Sequence, residues 1–363
     1  MKKIILTGGG TAGHVTPNLA LVPALREAGY EIEYIGGKAG IEKELAEREG
    51  LPYHAVSSGK LRRYPSLKNA ADALRVIKGV GGALRALGKT KPDVIFSKGG
   101  FVTVPVAIAG YLRKIPVVIH ESDLTPGLAN KIALRFAAVV CVSFPETLNH
   151  VNKNKAALTG PPIRRGLTAG DRQKGLKLCG FSGKKPVLLV MGGSLGSVRL
   201  NEALRSALPR ILPDFDAAHV CGKNNRSASA ETPGYAQFEY LQQELFDLMA
   251  ACDVVVSRAG ANAVFEFLTL KKPALLIPLS KNASRGDQIQ NAESFRNQGF
   301  AEVLQEEDLC AESLSTAISG LYANREKYIE AMSKSPAKNG VDEIVGIIEK
   351  VVTSRQKAAP SLK

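Results

Sequence analysis

Short apolar runs alternate with stretches of three- and four-residue apolar spacing along the whole chain. In the first half, strands are predicted at 3–7, 31–35, 54–56, 94–96, 117–120 and 139–142, with helices over 18–28, 42–48, 69–87, 104–113, 128–136 and 145–148. The second half repeats the alternation, with strands at 186–191, 217–221, 236–240, 254–257, 274–278 and 301–304. Its helices are predicted over 199–211, 245–251, 263–268, 288–297 and 311–322. Strands that alternate with helices imply an α/β fold with parallel sheets covered on both faces. Thr159-Gly160-Pro161-Pro162 breaks the pattern midway, and 340–352 has the spacing of one more amphipathic helix. Two α/β domains are therefore expected, 1–162 and 163–339, each large enough for its own core.

Composition narrows the class. The chain of 363 residues is 45% hydrophobic and 23% charged, the balance of an ordinary soluble globular protein. It has no apolar run of the roughly 18 residues that a membrane span requires. Its five cysteines, Cys141, Cys179, Cys221, Cys252 and Cys310, are widely spaced and match no metal-ligand pattern, which suits thiols in a reducing compartment.

The charge changes the picture more. The formal net charge is +14, and residues 1–163 carry 22 Lys and Arg against 12 Asp and Glu. The excess concentrates between Lys60 and Lys91, where Lys60, Arg62, Arg63, Lys68, Arg75, Lys78, Arg85, Lys89 and Lys91 face the single acid Asp72. Leu74, Ile77, Val80, Leu84 and Leu87 recur there at helical spacing. A solvated helix over a core stripe is one reading. Docking of the 60–91 region to an anionic membrane surface is the other. Nucleic acid is not expected, because the window has few aromatics to stack on bases and no recognition motif.

Two glycine-rich turns sit on the tips of strands, one in each half: Gly8-Gly9-Gly10-Thr11-Ala12-Gly13-His14 and Gly192-Gly193-Ser194-Leu195-Gly196-Ser197. Glycines admit close approach of a ligand, and the helix that follows aims free N–H groups at an anion. The first turn satisfies G-x-G-x-x-G, but the second strand ends in Gly36-Gly37 without the acid that a dinucleotide ribose needs, which argues against a nicotinamide enzyme. Further polar loops follow other strands: Ser97-Lys98-Gly99-Gly100-Phe101, His120-Glu121-Ser122-Asp123, Ser257-Arg258-Ala259-Gly260-Ala261-Asn262 and 278–290. Small residues at Ala259, Gly260 and Ala261 would bring a helix start against a phosphate. Arg258 adds charge, and Glu266 can accept two ribose hydroxyls.

In this order, with His120-Glu121-Ser122-Asp123-x-x-Pro126-Gly127-x-x-Asn130 and Asp287-Gln288-x-Gln290-Asn291, the motifs resemble the MurG family of N-acetylglucosaminyltransferases over nearly the whole chain. The wording of Lys60-Leu61-Arg62-Arg63-Tyr64 and of 120–123 is similar to its Gram-positive branch. The resemblance implies a GT-B glycosyltransferase, with two Rossmann-like parallel-sheet domains facing across a cleft. It implies an acceptor and membrane-binding domain at 1–162, a UDP-sugar domain at 163–339, and a last helix at about 340–355 that packs back on the first. The implied reaction is inverting transfer of N-acetylglucosamine from UDP-GlcNAc to the muramoyl 4-hydroxyl of undecaprenyl-diphospho-MurNAc-pentapeptide (lipid I), giving lipid II for peptidoglycan. A GT-B transferase acting on another lipid is the alternative. The enzyme would work peripherally on the cytoplasmic face of the plasma membrane, where other cell-wall synthesis proteins could be partners.

Donor contacts implied by the resemblance fall on Thr11, Ala12, Gly13, Asp123, Arg164, Ser194, Leu241, Ala261, Asn262, Ala263, Val264, Phe265, Glu266 and Gln288. Glu266 would hold the ribose and Leu241 would flank the uracil. Ala12 stands where the more familiar pattern has glycine, Asp123 where many relatives have Asn, and Ala259 where Ser is usual. Asp214-Phe215-Asp216 is a D-x-D triplet, but it follows Pro213 far from any glycine turn and reads as a surface turn, so neither a metal nor another cofactor is expected. Two residues could act as general base, His14 at the end of the first turn and Glu121 on a neighbouring loop.

Overall fold

The computed structural model describes residues 1–59, 67–193, 196–230, 232–281, 284–337 and 339–358. The chain forms two compact units, Met1–Arg164 with Lys338–Lys363, and Arg165–Ala337. The first holds a seven-stranded parallel sheet of order β3-β2-β1-β4-β5-β6-β7. Its strands are β1 (Lys2–Gly8), β2 (Tyr30–Gly37), β3 (Tyr53–Val56), β4 (Val94–Gly99), β5 (Val117–Glu121), β6 (Val139–Val142) and β7 (Ala156–Leu158). Helices α1 (Ala12–Glu27), α2 (Ile41–Arg48), α3 (Leu67–Thr90), α4 (Thr103–Leu112) and α5 (Leu128–Ala133) connect them.

Side chains alternate across a strand, and this sheet shows it directly. Ile4, Leu6 and Phe96 face one core with Val15, Leu21 and Leu25 of α1, while Ile5, Ile95 and Ile119 face the other with Leu87 of α3 and Val106 of α4. The stripe expected on α3 is only partly covered. Ala83 and Leu87 are buried, whereas Leu74 and Ile77 are 68% and 67% exposed. Gly79 lets α3 close on the chain before it, since a Cβ there would lie 2.1 Å from the Ser57 carbonyl oxygen.

The second unit repeats the plan with a six-stranded sheet of order β10-β9-β8-β11-β12-β13. Its elements are α6 (Arg172–Cys179), β8 (Val187–Met191), α7 (Val198–Ile211), β9 (Asp216–Val220), β10 (Tyr235–Phe238), α8 (Glu244–Ala251), β11 (Val254–Ser257), α9 (Ala261–Leu270), β12 (Ala274–Leu276), α10 (Asp287–Asn297), β13 (Ala301–Val303), α11 (Ala311–Ala323) and α12 (Arg325–Ser333). Leu188, Val190, Val254 and Val256 pack on Leu200, Leu204 and Leu208 of α7 and on Leu314 and Ile318 of α11.

The last helix, α13 (Val341–Ala358), returns to the first unit. Val341, Ile344, Ile348 and Val352 enter the core beside α1. Polar contacts fix its two ends. Gly340 N–H donates to the Pro161 carbonyl at 2.9 Å, and Arg355 Nη1 donates to the carbonyls of Pro92 and Asp93 at 3.2 and 2.8 Å.

In both sheets the order of strands reverses beside the first strand of its unit, between β1 and β4 and between β8 and β11. Ligands of open parallel sheets bind past the carboxyl ends of the strands at such a point. Each glycine-rich turn lies there.

Candidate active site

In the first unit, the β1–β4 ladder shifts register between Thr7 and Gly8 as β1 enters its turn. Gly9 N–H donates to the Gly99 carbonyl at 3.3 Å. Gly100 has φ +87°, and a Cβ on it would lie 2.2 Å from the Gly9 oxygen, so the two loops meet only because this residue is glycine. Tyr34 braces the turn from β2, its hydroxyl donating to the Gly8 carbonyl at 2.8 Å and accepting from Asn18 Nδ2 at 3.0 Å.

The turn exposes Thr11 and Gly13 and leaves Ala12 and His14 half-buried. Helix α1 begins at Ala12, so His14 stands in its first turn. His14 Nδ1 lies 3.1 Å from the Gly9 carbonyl oxygen and 3.2 Å from Thr11 Oγ1. A carbonyl can only accept, so in that contact Nδ1 carries the hydrogen.

Glu42, which the sequence reading passed over, reaches this turn from the start of α2. Its Oε2 accepts the Gly10 N–H at 3.2 Å and its Oε1 accepts the Gly37 N–H at 3.0 Å. The cluster Gly36-Gly37 and Gly40 just before it is the sequence signal that could have pointed there.

Beside the turn, Glu121 ends β5 with both oxygens engaged. Oε1 accepts the Asp123 N–H at 3.0 Å, and Oε2 accepts the Gly127 N–H at 3.3 Å and Asn130 Nδ2 at 2.8 Å. Burial raises the Glu121 carboxyl above its ordinary value, and the Asp123 charge adds to this against the opposing hydrogen bonds. Lys98, at the end of β4, is also buried and donates to Ser122 Oγ. Burial pushes its ammonium down to about 8, against the pull of Glu121 and Asp123. His120 donates from Nε2 to the Gly160 carbonyl at 3.0 Å, and burial together with Lys98 keeps its ring well below the usual histidine range. Lys98 and Glu121 form a buried cluster of opposite charge, with His120 beside them, beneath the loop that carries Asp123. Arg164, half-buried, is the last residue of this unit before the chain passes to the second.

In the second unit, β8 leads into Gly192 and Gly193, and α7 starts at Val198 with Ser197 as its N-cap. Ser194 lies outside the described residues, as do Lys60, Arg62 and Arg63. Arg258 follows β11 and is buried. Its Nη2 donates to Ser197 Oγ at 2.5 Å and to Glu306, and its Nη1 donates to the Ile277 carbonyl at 3.2 Å. Burial by itself would raise the Glu306 carboxyl, but the bonds from Arg258 and the Ser280 N–H outweigh it and hold the group below its usual value. Arg258 thus ties the start of α7 to the ends of β11 and β12.

Gly260 is the N-cap of α9, which makes Ala261, Asn262 and Ala263 its first turn. Val264 and Phe265 are buried, and the Phe265 ring packs edge-on against Phe295 at 5.2 Å. These two side chains belong to the core. Glu266 lies one turn inside the same helix and is 9% exposed. Gln288, in the first turn of α10, accepts the Leu279 N–H through Oε1 at 3.1 Å. Leu241 is half-buried between β10 and α8. Asp214 is exposed, Phe215 is core, and Asp216 opens β9 at the amino end of the sheet, opposite the glycine turn. Among the described residues, no group of three or more His, Cys, Asp and Glu is placed to hold a metal ion.

The Glycosyltransferase family 28 N-terminal domain matches residues 4–142, and the Glycosyltransferase family 28 C-terminal domain matches residues 187–346. The chain is 57% identical to a UDP-N-acetylglucosamine--N-acetylmuramyl-(pentapeptide) pyrophosphoryl-undecaprenol N-acetylglucosamine transferase of Clostridium botulinum, covering 96% of this chain and 99% of that protein. The enzyme of the same description from Lachnospira eligens is also 57% identical, over 96% and 99%. The crystal structure of Acinetobacter baumannii MurG superimposes with a TM-score of 0.75 at 25% identity, covering 96% of this chain and all of that one. Two Rossmann-like parallel-sheet domains with these matches define a glycosyltransferase of the GT-B fold. Within that class, the chain belongs to the family of UDP-N-acetylglucosamine--N-acetylmuramyl-(pentapeptide) pyrophosphoryl-undecaprenol N-acetylglucosamine transferases.

Proposed function

We propose that this enzyme transfers N-acetylglucosamine from UDP-GlcNAc to the 4-hydroxyl of the muramoyl sugar of lipid I, forming lipid II for peptidoglycan. The observation that carries this reading is 57% identity over 96% of the chain to transferases of that description. The donor belongs to the second unit. N–H groups of Ala261, Asn262 and Ala263 at the start of α9 face its diphosphate, with the start of α7 beside it. Glu266 accepts the two ribose hydroxyls, Leu241 flanks the uracil, and Gln288 offers Nε2, its Oε1 being held by Leu279. Thr11, Ala12, Gly13, Asp123 and Arg164 belong to the first unit.

The acceptor oxygen attacks the anomeric carbon on the face opposite the leaving group, so the configuration inverts. Its proton passes to Nε2 of His14 as the bond to the diphosphate oxygen breaks. The charge that UDP takes away is stabilised by main-chain N–H groups at the helix starts, fixed before the reaction begins. Incubation with radiolabelled UDP-GlcNAc and a short-chain lipid I analogue should yield labelled disaccharide lipid. UDP-glucose or diacylglycerol in place of either partner should not. Label appearing on diacylglycerol instead would reassign the acceptor.

Removing the Glu266 carboxylate should act on the donor. A hydrogen bond to a charged group is worth about 1.5–3 kcal/mol, so Glu266→Ala should raise the UDP-GlcNAc KM by about 10- to 100-fold with little change in the lipid I KM. Steady-state kinetics with each substrate varied in turn provide the check. An unchanged donor KM would remove Glu266 from the ribose site.

The acceptor is a membrane lipid, and no helix among the described residues is long and apolar enough to cross a membrane. We place the enzyme peripherally on the cytoplasmic face, docked through α3. The support is the exposure of Leu74 and Ile77 beside the exposed bases Arg75 and Lys78, apolar wedges among cations on one helix. Each base near anionic headgroups contributes on the order of 1 kcal/mol. Arg75→Glu with Lys78→Glu should therefore cut flotation with phosphatidylglycerol vesicles by about tenfold or more. Equal flotation of the two proteins would exclude this face.

A further inference from the structure

The two glycine turns share a topology but not an electrostatic setting. In the second unit, the side chain that reaches the turn is a cation, Arg258, at Ser197. In the first it is an anion. Glu42 is 3% exposed, and its carboxylate already accepts N–H groups from Gly10 and Gly37. The space around it is shaped for that group. A Cβ on Gly9, Gly36, Gly37 or Gly40 would lie 2.6, 2.9, 2.7 or 2.3 Å from an atom of the Glu42 side chain. Four glycines from three segments thus converge on one carboxylate.

We propose that Glu42 is the internal counter-anion of the first glycine turn, seated where a nucleotide phosphate would sit and reserving Thr11, Ala12 and Gly13 for an uncharged sugar. A phosphate at a strand–turn–helix motif needs both the N–H groups of the turn and the volume in front of them. Glu42 takes one of those N–H groups, that of Gly10, and the space beside Gly9, and its charge repels a second anion at close range. The same motif thus serves opposite partners in the two units, and a residue outside both motifs sets the difference. This rests on the reading that the donor diphosphate belongs to the second unit.

Emptying the cradle should open an anion site. Inorganic pyrophosphate is titrated calorimetrically into the full chain, with the histidine ring protons followed by NMR. The unmodified protein should take up a single equivalent that UDP displaces. Glu42→Ala should take up a second equivalent, and its binding should shift the His14 signals. Glu42→Ser, which keeps a polar group at the start of α2, repeats the measurement if the alanine chain does not fold. A folded variant that still binds a single equivalent, a second equivalent that leaves His14 unmoved, or two equivalents in the unmodified protein would each overturn the assignment. Failure of UDP to displace the first equivalent would instead count against the donor site in the second unit.

Discussion

Replacing His14 by Ala should lower kcat by about 100-fold or more, the usual share of a positioned general base. The residue is half-buried on an exposed turn, so its removal should cost about 1 kcal/mol of stability or less, and the lost rate would report chemistry. As the proposed base, His14 would take the hydroxyl proton at Nε2, because the Gly9 carbonyl holds Nδ1. The same contact supplies the competing explanation, that His14 only braces the turn. His14→Asn separates the two, because an amide can donate to the Gly9 oxygen but cannot take up a proton at neutral pH. A loss as deep as that of the alanine variant, with the rising acid limb of the kcat/KM profile abolished in both, identifies the base. Recovery to within tenfold of the unmodified enzyme would make His14 a brace.

The alternation of strands and helices was legible because each parallel strand is buried on both faces and leaves a continuous apolar run. Elements without such a run were missed. Strand β7 is only Ala156–Leu158, and α6 presents mainly polar residues, with Gly175 and Leu176 as its buried pair. Helix α1 begins before the expected position because it runs through Pro17, and this brings His14 into a helical first turn. On α3 the apolar spacing marked a shared face but could not tell what covers it. Leu87 is buried and Leu74 is not.

At the site, the glycine turns and the loops after the strands were readable as motifs. Their partners were not, because the fold supplies them from elsewhere. The dinucleotide fingerprint places its acid at the end of β2, where Gly37 stands, yet Glu42 returns to Gly10 from the next helix. Arg258 was legible as a cation beside Gly260, but the bonds of its Nη atoms to Ser197, Ile277 and Glu306 were not. Motif spacing identifies which residues meet a ligand edge. It does not show which of them the protein has already bonded to itself.

Glu121 tests that distinction, and its replacement by Ala should destabilise the first unit by roughly 3–5 kcal/mol, as removal of one member of a buried charged cluster does. A carboxyl raised by burial is what a general base requires, so its environment alone would admit it to that role. The hydrogen bonds argue otherwise. Its oxygens already accept from Asp123, Gly127 and Asn130, and these bonds favour the ionised carboxylate over a protonated one. The alanine variant would strand the same donors in the interior beside Lys98, each unmet bond costing about 1–3 kcal/mol. Urea titration of the full chain should show the first transition moved to lower denaturant, with the second unit unfolding as before. Activity should fall as well, because the loop carrying Asp123 loses its anchor. At low denaturant and low temperature, though, the residual enzyme should keep the pH profile of the unmodified protein. A variant with unchanged stability and a kcat reduced by about 100-fold or more would reverse the two assignments, making Glu121 the base and His14 the brace.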